Sequence, residues 1–459
     1  MSALWTSADA ETVTLGHATR AFEASGLSID TRTLQPGDLY VALKGDTRDG
    51  HDFVKAAFKA KASAAMVSRK PDGVDEEPLL MVANTLRGLE DLARASRARS
   101  NARIVAVTGS VGKTTTKEIL RLALGALGRT HASAASYNNH WGVPLSLASM
   151  PQNAQFGIFE IGMNHFGEIR PLAGFVRPHV ALITAIAPAH LEFFGTCEAI
   201  ADAKSEIFEG IAPGGAALIP SDSPYAERLI ARAKQTGVSR ILTFGAKGDA
   251  RLVSATESES GTKVEAQICG LPVHFRIGAP GAHIVSNALG ALLAVAALEG
   301  DVLNAAAALS QFAALKGRGA RFRIALDGGE AEVIDESYNA NPASMAAAFK
   351  LLGAAQAKRR IAVLGDMLEM GPDGPSHHAA LAHDIESARA DLVFANGPQM
   401  KALWDALPQR LRGAYGEKSS DIAPAIVAGL RAGDAVLVKG SLGSRMAVVI
   451  EALKARGKQ

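Results

Sequence analysis

The residues of this sequence best suited to chemistry form a short glycine loop between a predicted strand and a predicted helix. An apolar run beginning at Arg103 leads directly into Thr108-Gly109-Ser110-Val111-Gly112-Lys113-Thr114-Thr115. The two glycines allow a tight turn whose backbone N–H groups can face a phosphate, Lys113 adds a positive charge, and Thr114 adds a hydroxyl suited to Mg²⁺. The N-terminus of the following helix also favours anions. The pattern therefore predicts a nucleotide phosphate site.

The spacing of this loop is G-x-x-G-K-T, which is shorter than the common G-x-x-x-x-G-K-[ST] spacing. The longer spacing would require a glycine at Val107. The short loop argues against ordinary GTPases and kinases. The alternative is a structural turn with an exposed lysine, which the preceding strand and the threonine run disfavour.

Two further candidates follow predicted strands. Glu160 ends the apolar run from Phe156, and His190 follows the run that starts at Val180. Ligands gather at the carboxyl ends of parallel strands, so either side chain could face a bound metal. A helix-capping glutamate and an ordinary loop histidine are the alternatives.

Two helical segments carry the remaining candidates. His283 and Asn287 lie one helical turn apart, before an apolar helix predicted from Ala288 to Leu298. That spacing suits stacking and hydrogen bonding to a base, and a structural cap is the equal alternative for Asn287. Lys204 lies on an amphipathic helix, and the pattern alone predicts a solvated lysine without a role.

The elements that position these residues divide into three α/β domains. Residues 1–82 are predicted to form a small α/β unit with strands near Tyr40 and Ala64, a helix from Phe53 to Lys61, solvated polar loops and a polar linker over 70–78. Residues 83–314 alternate strands and helices, which predicts a largely parallel sheet. Residues 315–459 alternate again and predict a Rossmann-like domain without a dinucleotide motif.

Composition excludes several function classes. The chain has 48 basic and 46 acidic residues in 459, and no basic run that would indicate nucleic acid binding. Cys197 and Cys269 form no disulfide or metal framework. No secretory signal is recognised, and no apolar run reaches the roughly 18 residues of a spanning helix. We expect a soluble, cytoplasmic monomer whose partners are small molecules.

Taken together, the motifs resemble the Mur ligase family over nearly the whole chain. The family-wide features are the glycine loop, Glu160, His190, Lys204 and the segment from Gly281 to Asn287. Three further stretches resemble the branch of the family that adds D-alanyl-D-alanine to a UDP-N-acetylmuramoyl tripeptide. They span residues 136–144, 335–342 and 365–371. The stretches 28–32 and 49–51 resemble the family's UDP-sugar-binding loops.

The resemblance implies an ATP- and Mg²⁺-dependent ligase that joins a carboxylate to an amine and releases ADP and phosphate. It implies one Mg²⁺ at Thr114 and Glu160, and a second at His190 and a carbamylated Lys204. A bare ammonium would repel Mg²⁺, whereas its CO₂ adduct is an anionic oxygen ligand. The resemblance places adenine between His283 and Asn287, with Arg318 and Asp335 reaching ATP. The substrate contacts that it implies are Ser28, Asp30, Arg32, Asn138, Asn139, Tyr338, Asn339 and Asn341.

The sequence departs from the family pattern at three positions that put the dipeptide contacts in question. Leu442 stands where an arginine is usual, Ala447 where an acidic residue is usual, and Glu336 where an aspartate is usual. Three alternatives stay open. They are a sister ligase that adds a single amino acid, a ligase similar to folylpolyglutamate synthase, and a non-catalytic ATP-binding regulator.

Overall fold

The first part of the chain folds around a five-stranded sheet. The computed structural model describes residues 3–133, 136–258 and 261–457. The sheet order is β2-β7-β6-β5-β4, and a separate two-stranded pair, β1 and β3, lies beside it. The elements are β1 (Trp5–Thr6), α1 (Ser7–Thr14), β2 (His17–Ala18), β3 (Glu23–Ala24), β4 (Gly26–Ser28), β5 (Asp38–Val41), α2 (Val54–Lys59), β6 (Ala64–Val67) and β7 (Leu79–Met81).

One prediction for this part is wrong, and another needs a correction at one residue. Residues 70–78 connect β6 to β7, which are neighbouring parallel strands, so they do not form a linker between domains. The polar loop before α2 is exposed at Lys44 and over 46–48, as predicted, but His51 at its end is buried. Its Nδ1 lies 2.6 Å from Asp49 Oδ1, and its Nε2 accepts a hydrogen bond from the backbone N–H of Ser68. These bonds satisfy both ring nitrogens inside the fold.

The central part contains a nine-stranded sheet in the order β16-β15-β14-β13-β12-β11-β8-β10-β9. Its elements are α3 (Thr85–Ala98), β8 (Arg103–Thr108), α4 (Lys113–Gly125), β9 (Thr130–Ala132), α5 (Gly142–Ala148), β10 (Phe156–Glu160), α6 (Ile169–Val176), β11 (Val180–Ile183), α7 (Leu191–Phe194), α8 (Cys197–Ser205), β12 (Ala216–Pro220), α9 (Ala226–Gln235), β13 (Arg240–Gly245), β14 (Ala250–Ser258), β15 (Gly261–Ile268), β16 (Leu271–Ile277), α10 (Ala282–Ala297) and α11 (Val302–Ala308).

Strand β8 shows why the parallel strands read as continuous apolar runs. Ile104 and Ala106 pack into one hydrophobic core, and Val105 and Val107 pack into another on the opposite face. Successive side chains of a strand point to opposite faces, so a strand covered on both faces needs apolar residues throughout. Because the parallel strands share one direction, the glycine loop and Glu160 emerge at the same edge of the sheet.

The structure adds features that the sequence prediction lacked. Strands β14, β15 and β16 extend the parallel sheet as an antiparallel meander. The connection between β14 and β15 falls between Ser258 and Gly261, and residues 259 and 260 lie outside the described residues. The apolar helix begins at Ala282 and not at Ala288, so His283 and Asn287 lie within α10.

The last part contains a six-stranded sheet in the order β17-β18-β22-β19-β20-β21, parallel except for the β17–β18 pair. Its elements are β17 (Ala320–Leu326), β18 (Gly329–Glu336), α12 (Pro342–Ala354), β19 (Arg359–Gly365), α13 (Gly374–Ser387), β20 (Leu392–Asn396), α14 (Met400–Ala406), β21 (Arg412–Gly416), α15 (Ser419–Gly429), β22 (Asp434–Lys439) and α16 (Ala447–Arg456).

The three-domain α/β fold predicted from the sequence is confirmed by these three sheets. Boundaries at residues 82 and 314 stay a prediction. The boundary at 82 directly follows β7, which ends at Met81, and the boundary at 314 precedes β17, which begins at Ala320. Each boundary therefore falls between strands of different sheets. Among the described residues, no helix combines the length and the apolar character needed to cross a bilayer.

Candidate active site

A cavity of about 400 Å³ lies between the central and the last sheet. The glycine loop, Glu160, His190 and the start of α10 line it from the central side. From the other side, its walls include Arg318, Glu336, Tyr338, Asn339, Asn341 and Lys439. The cavity thus brings together residues that are far apart in sequence, and it sits at the carboxyl ends of parallel strands, where ligands bind in open α/β sheets.

The glycine loop is held by the strand next to it. Gly109 and Gly112 have φ of 152° and 85°, a region that other residues rarely adopt. The Thr184 hydroxyl donates a hydrogen bond to the Val111 carbonyl over 2.5 Å, and the Ser110 N–H donates to the Ala185 carbonyl. A Cβ on Gly109 would stand 1.9 Å from the Thr184 hydroxyl. The short loop is therefore fixed against β11, with α4 starting at Lys113.

Glu160 is buried at the end of β10, and both of its carboxylate oxygens have partners. The Thr114 hydroxyl donates to Oε2 over 2.9 Å, and the Asn138 amide donates to Oε1 over 2.7 Å. The Ser136 hydroxyl lies 3.2 Å from that of Thr114. Glu160 therefore caps no helix through these contacts, and its carboxylate lies beside the phosphate loop.

Lys113 projects from the glycine loop into the cavity. Its ammonium donates a hydrogen bond to the Gly109 carbonyl over 2.8 Å. Loss of hydration in the cleft lowers its pKa, while the negative charge of Glu160 opposes that shift and the positive charge of Arg318 adds to it. An incoming anion therefore stabilises the Lys113 ammonium more than it would stabilise the ammonium of a solvated lysine.

Lys204 is buried on α8, with 1 % of its surface exposed, so the prediction of a solvated residue is wrong. Within the described ranges its ammonium forms no hydrogen bond or ion pair. Burial lowers the pKa of Lys204 well below its usual value, and the positive charge of Lys113 lowers it further. Lys204 follows Ile200 by four residues and Ala201 by three, so it lies on the buried face of α8, and its residue type led to the wrong prediction.

His190 lies where the two halves of the cavity meet. Its Nδ1 is 2.5 Å from Oε2 of Glu369, which belongs to the last domain. The carboxylate lies off the direction of an ideal hydrogen bond from the ring, so the contact is best described as a close polar pair. The pKa of Glu369 is lowered mainly by this contact. Glu369 was not among the residues predicted from sequence.

His283 and Asn287 line the same cavity one turn apart on α10, as their spacing predicted. Asn287 is buried within the helix and does not cap it, because the N-cap residue is Gly281. Its amide lies close to Gly112, since a Cβ there would stand 3.0 Å from the amide oxygen. Their role at adenine stays a prediction.

Of the two residues of the last domain predicted to reach ATP, Arg318 lines the cavity and Asp335 does not. The Arg318 guanidinium stacks 4.0 Å over the Tyr338 ring at the cavity wall. Asp335 is buried and does not line this cavity in the described residues. Its carboxylate instead accepts hydrogen bonds from the Gly317 N–H, the Ser337 N–H and the Ser337 hydroxyl. It holds the turn that carries Arg318.

Lys439 and Glu336 are a pair that sequence reasoning did not assign to the site. Lys439 is buried at the end of β22, and its ammonium donates to the Asn339 carbonyl over 2.8 Å. Glu336 Oε2 lies 3.4 Å away. Burial lowers the pKa of Lys439, and Glu336 opposes that shift. The sequence signal that could have identified Lys439 is a lysine at the end of a buried, apolar strand.

The predicted substrate residues lie in different places. Asn138 lines the main cavity and also an adjoining cavity of about 630 Å³, whose walls include Asn139. Asn341 caps α12 and lines the main cavity with Tyr338 and Asn339. The N-terminal residues Ser28, Asp30 and Arg32 line neither cavity. Arg32 forms an ion pair with Asp30 instead.

Thr114 and Glu160 are a suitable donor set for Mg²⁺, since their oxygens lie together beside the phosphate loop. Among the described residues no group of three or more His, Cys, Asp or Glu side chains could by itself enclose a metal ion. Mg²⁺ does not need such a group, because it binds through one or two protein ligands together with phosphate oxygens and waters.

Comparison with known proteins covers all three domains. Family models for the Mur ligase middle domain, the Mur ligase glutamate ligase domain and the Mur ligase catalytic domain match residues 107–295, 320–442 and 23–99. The chain is 34% identical over 438 residues to the UDP-N-acetylmuramoyl-tripeptide--D-alanyl-D-alanine ligase of Escherichia coli K12, which covers 94% of each protein.

Solved structures agree over a similar length. The structure resembles MurF from Acinetobacter baumannii with a TM-score of 0.85 at 29% identity, covering 98% of this chain and 99% of that one. It also resembles MurF ligase from Thermotoga maritima in complex with ADP, with a TM-score of 0.76 at 25% identity, covering 94% and 98%. On these matches, together with the three family models, the chain belongs to the Mur ligase family.

Proposed function

We propose that this chain is an ATP-dependent ligase that joins D-alanyl-D-alanine to a UDP-N-acetylmuramoyl tripeptide. It releases ADP and phosphate and gives the pentapeptide precursor of peptidoglycan. The observation that carries the proposal is the cavity in which the glycine loop and Glu160 face Arg318, Tyr338, Asn339 and Asn341. The full-length similarity to ligases of that name supports the choice of substrates.

The first chemical step must activate a carboxylate, which is a poor acyl donor. The terminal carboxylate of the tripeptide attacks the γ-phosphorus of ATP, forming an acyl phosphate and expelling ADP. Two anions must approach each other for this reaction. Lys113 and the loop N–H groups oppose the repulsion from one side, and Arg318 adds positive charge from the other.

The residues fit a requirement for Mg²⁺ beside the phosphates. Thr114 and Glu160 would hold the ion, since their oxygens already lie together beside the loop. When bound, the ion supplies charge neutralisation on the phosphate oxygens. His190 and a modified Lys204 would serve a second ion.

We propose that Lys204 carries a carbamate in the working enzyme. Only a neutral amine adds CO₂, and the burial of Lys204 without an acidic partner disfavours its ammonium form. The addition forms an N–C bond, and loss of a proton leaves an anionic oxygen group. That group would remove the unfavourable positive charge next to Lys113.

The second step forms the peptide bond. The free amine of D-alanyl-D-alanine attacks the acyl carbon, loses a proton, and phosphate leaves. We assign the muramoyl peptide to the adjoining cavity, which shares Asn138, Gly162, Met163 and Asn164 with the main one. The departures from the family pattern at Leu442, Ala447 and Glu336 concern the contacts to the dipeptide. The cytoplasm stays our predicted location for the enzyme.

Phosphate release tests this proposal directly. The purified chain is incubated with ATP, Mg²⁺ and UDP-N-acetylmuramoyl tripeptide, with and without D-alanyl-D-alanine, and the product is identified by mass spectrometry. We expect phosphate and the pentapeptide only with the dipeptide. Turnover with a single amino acid would favour a sister ligase, turnover with folate and glutamate would favour the folylpolyglutamate-type ligase, and ATP binding without turnover would favour a regulator.

A further inference from the structure

The segment 365–371, which joins β19 to α13, presents Glu369 to His190 across the domain interface. The two side chains approach to 2.5 Å. The Glu192 N–H also donates to the Glu369 carbonyl over 3.2 Å, so the backbone makes a contact beside the side chains. Gly371 packs closely here, since a Cβ on it would stand 3.4 Å from the Glu192 Cα.

The segment is braced from behind by its own domain. The Asp366 carboxylate accepts hydrogen bonds from the Gln399 and Met400 N–H groups at the start of α14. The Met367 N–H donates to buried His378 Nε2, and the Leu368 N–H donates to the Ser441 hydroxyl, each over 2.9 Å. Three successive residues are thus fixed before Glu369.

Both partners adopt a backbone conformation that costs conformational energy. His190 and Glu369 have φ of 58° and 62°, in the left-handed region that residues with a Cβ rarely occupy. Two such residues in contact across an interface indicate a constrained arrangement whose energetic cost the surrounding structure must offset. Packing alone would not require an acidic side chain at this point.

We infer that Glu369 is a positioning residue that orients the His190 ring for the reaction once the last domain closes on the central one. The inference rests on the proposed function, in which His190 serves the metal and phosphate site. The Glu369 carboxylate 2.5 Å from Nδ1, together with the backbone hydrogen bond beside it, restricts the orientation of the ring. Because Glu369 arrives from another domain, the ring is fixed only in the closed molecule.

Steady-state kinetics of full-length variants give the first test. We expect Glu369→Ala to lower kcat by about 10- to 100-fold with a smaller effect on the KM for ATP, as is usual when the partner of a metal-binding histidine is lost. Glu369→Gln should retain more activity, because its amide has nearly the same shape and can keep a polar contact with Nδ1. Glu192→Ala is the matched control, since its exposed acidic side chain lies in the same interface.

A double-mutant cycle separates positioning from general stability. If Glu369 acts through His190, the Glu369→Ala change should cost little more in a His190→Gln background. Fully additive losses, or unchanged kcat in Glu369→Ala, would overturn the inference. Melting curves of all four proteins identify any variant whose loss of activity reflects unfolding. Where Glu369→Ala unfolds, Glu369→Gln replaces it in the cycle.

A spectroscopic measurement separates this inference from the proposed function. The ¹⁵N shifts of the His190 ring are recorded without Mg²⁺, in the presence of a nucleotide analogue and the tripeptide that favour the closed arrangement, and are assigned by their absence in His190→Gln. We expect the ring shifts to differ between the wild type and Glu369→Ala, because the carboxylate lies against Nδ1 only in the wild type. Identical shifts in both proteins would contradict the pairing, even where ligase activity is present. A shift change in a protein without ligase activity would support the pairing and refute the function.

Discussion

Buried positive charge is the main property of this site at the scale of single residues. Lys113, Lys204 and Lys439 all have lowered pKa values because they are removed from water. Arg318 adds to the shifts of Lys113 and Lys439. The cations Lys113, Lys439 and Arg318 destabilise one another, which is unfavourable for folding alone but complementary to a polyphosphate. Lys204 would leave this set of cations once it carries the proposed carbamate.

Lys113→Ala should abolish turnover and leave the fold intact. The side chain contributes charge and one hydrogen bond to the Gly109 carbonyl, and it fills no core position. We expect kcat to fall by at least about 100-fold, as for the loss of other groups that stabilise transition-state charge. Phosphate release and a melting curve are measured together. Activity near the wild-type level with an unchanged melting curve would contradict the phosphate assignment.

Lys204→Ala and Lys204→Arg test the carbamate. Alanine should lose most activity, and formate or acetate should restore part of it by supplying an anionic oxygen ligand. Arginine should not substitute, because it keeps its positive charge and cannot add CO₂ in this way. Activity is followed against carboxylate concentration in both variants. Full activity of the arginine variant would mean that Lys204 acts only as a cation.

At the scale of elements, the glycine loop depends on its contact with β11. Gly109→Ala should destabilise the protein by about 1–3 kcal/mol or more, because its φ of 152° suits glycine and its Cβ would overlap the Thr184 hydroxyl. Nucleotide affinity should fall as well. Chemical denaturation and ADP titration measure the two effects.

Gly125→Ala is the matched control for that variant. It is the last residue of α4, the helix that follows the glycine loop, and nothing stands within 4 Å of its added Cβ. We expect it to be neutral or more stable by up to about 1 kcal/mol, since alanine is the better helix former. A loss of stability in Gly125→Ala as large as that in Gly109→Ala would show that the effect is not specific to the glycine loop.

At the scale of the whole molecule, the turn from Leu315 to Gly319 is the expected hinge. Gly317 and Gly319 have φ of 76° and 92°, and Arg318 between them lines the cavity. We expect a nucleotide analogue and tripeptide together to favour the closed arrangement and to reduce the radius of gyration. Small-angle scattering with neither, one and both ligands measures this. Superimposable curves would argue against ligand-driven closure.

The sequence by itself determined the features that depend on neighbours along the chain. The glycine loop, the strand before it and the helix behind it follow from local spacing, and so does the pairing of His283 with Asn287 on one helix face. Alternating strands and helices predicted three α/β domains, because periodicity reports which faces each element buries.

Only the tertiary structure decided what depends on contacts between distant segments. The pattern predicted a solvated Lys204, but the residue is buried on α8. Asp335 was predicted to reach ATP, and in the structure its carboxylate bonds to the turn that carries Arg318. Glu369 was assigned no role from the sequence, and the structure places it beside His190. The physical reason is that burial and charge pairing depend on which segments meet in the folded chain. Local periodicity contains no information about a surface that a distant segment will cover.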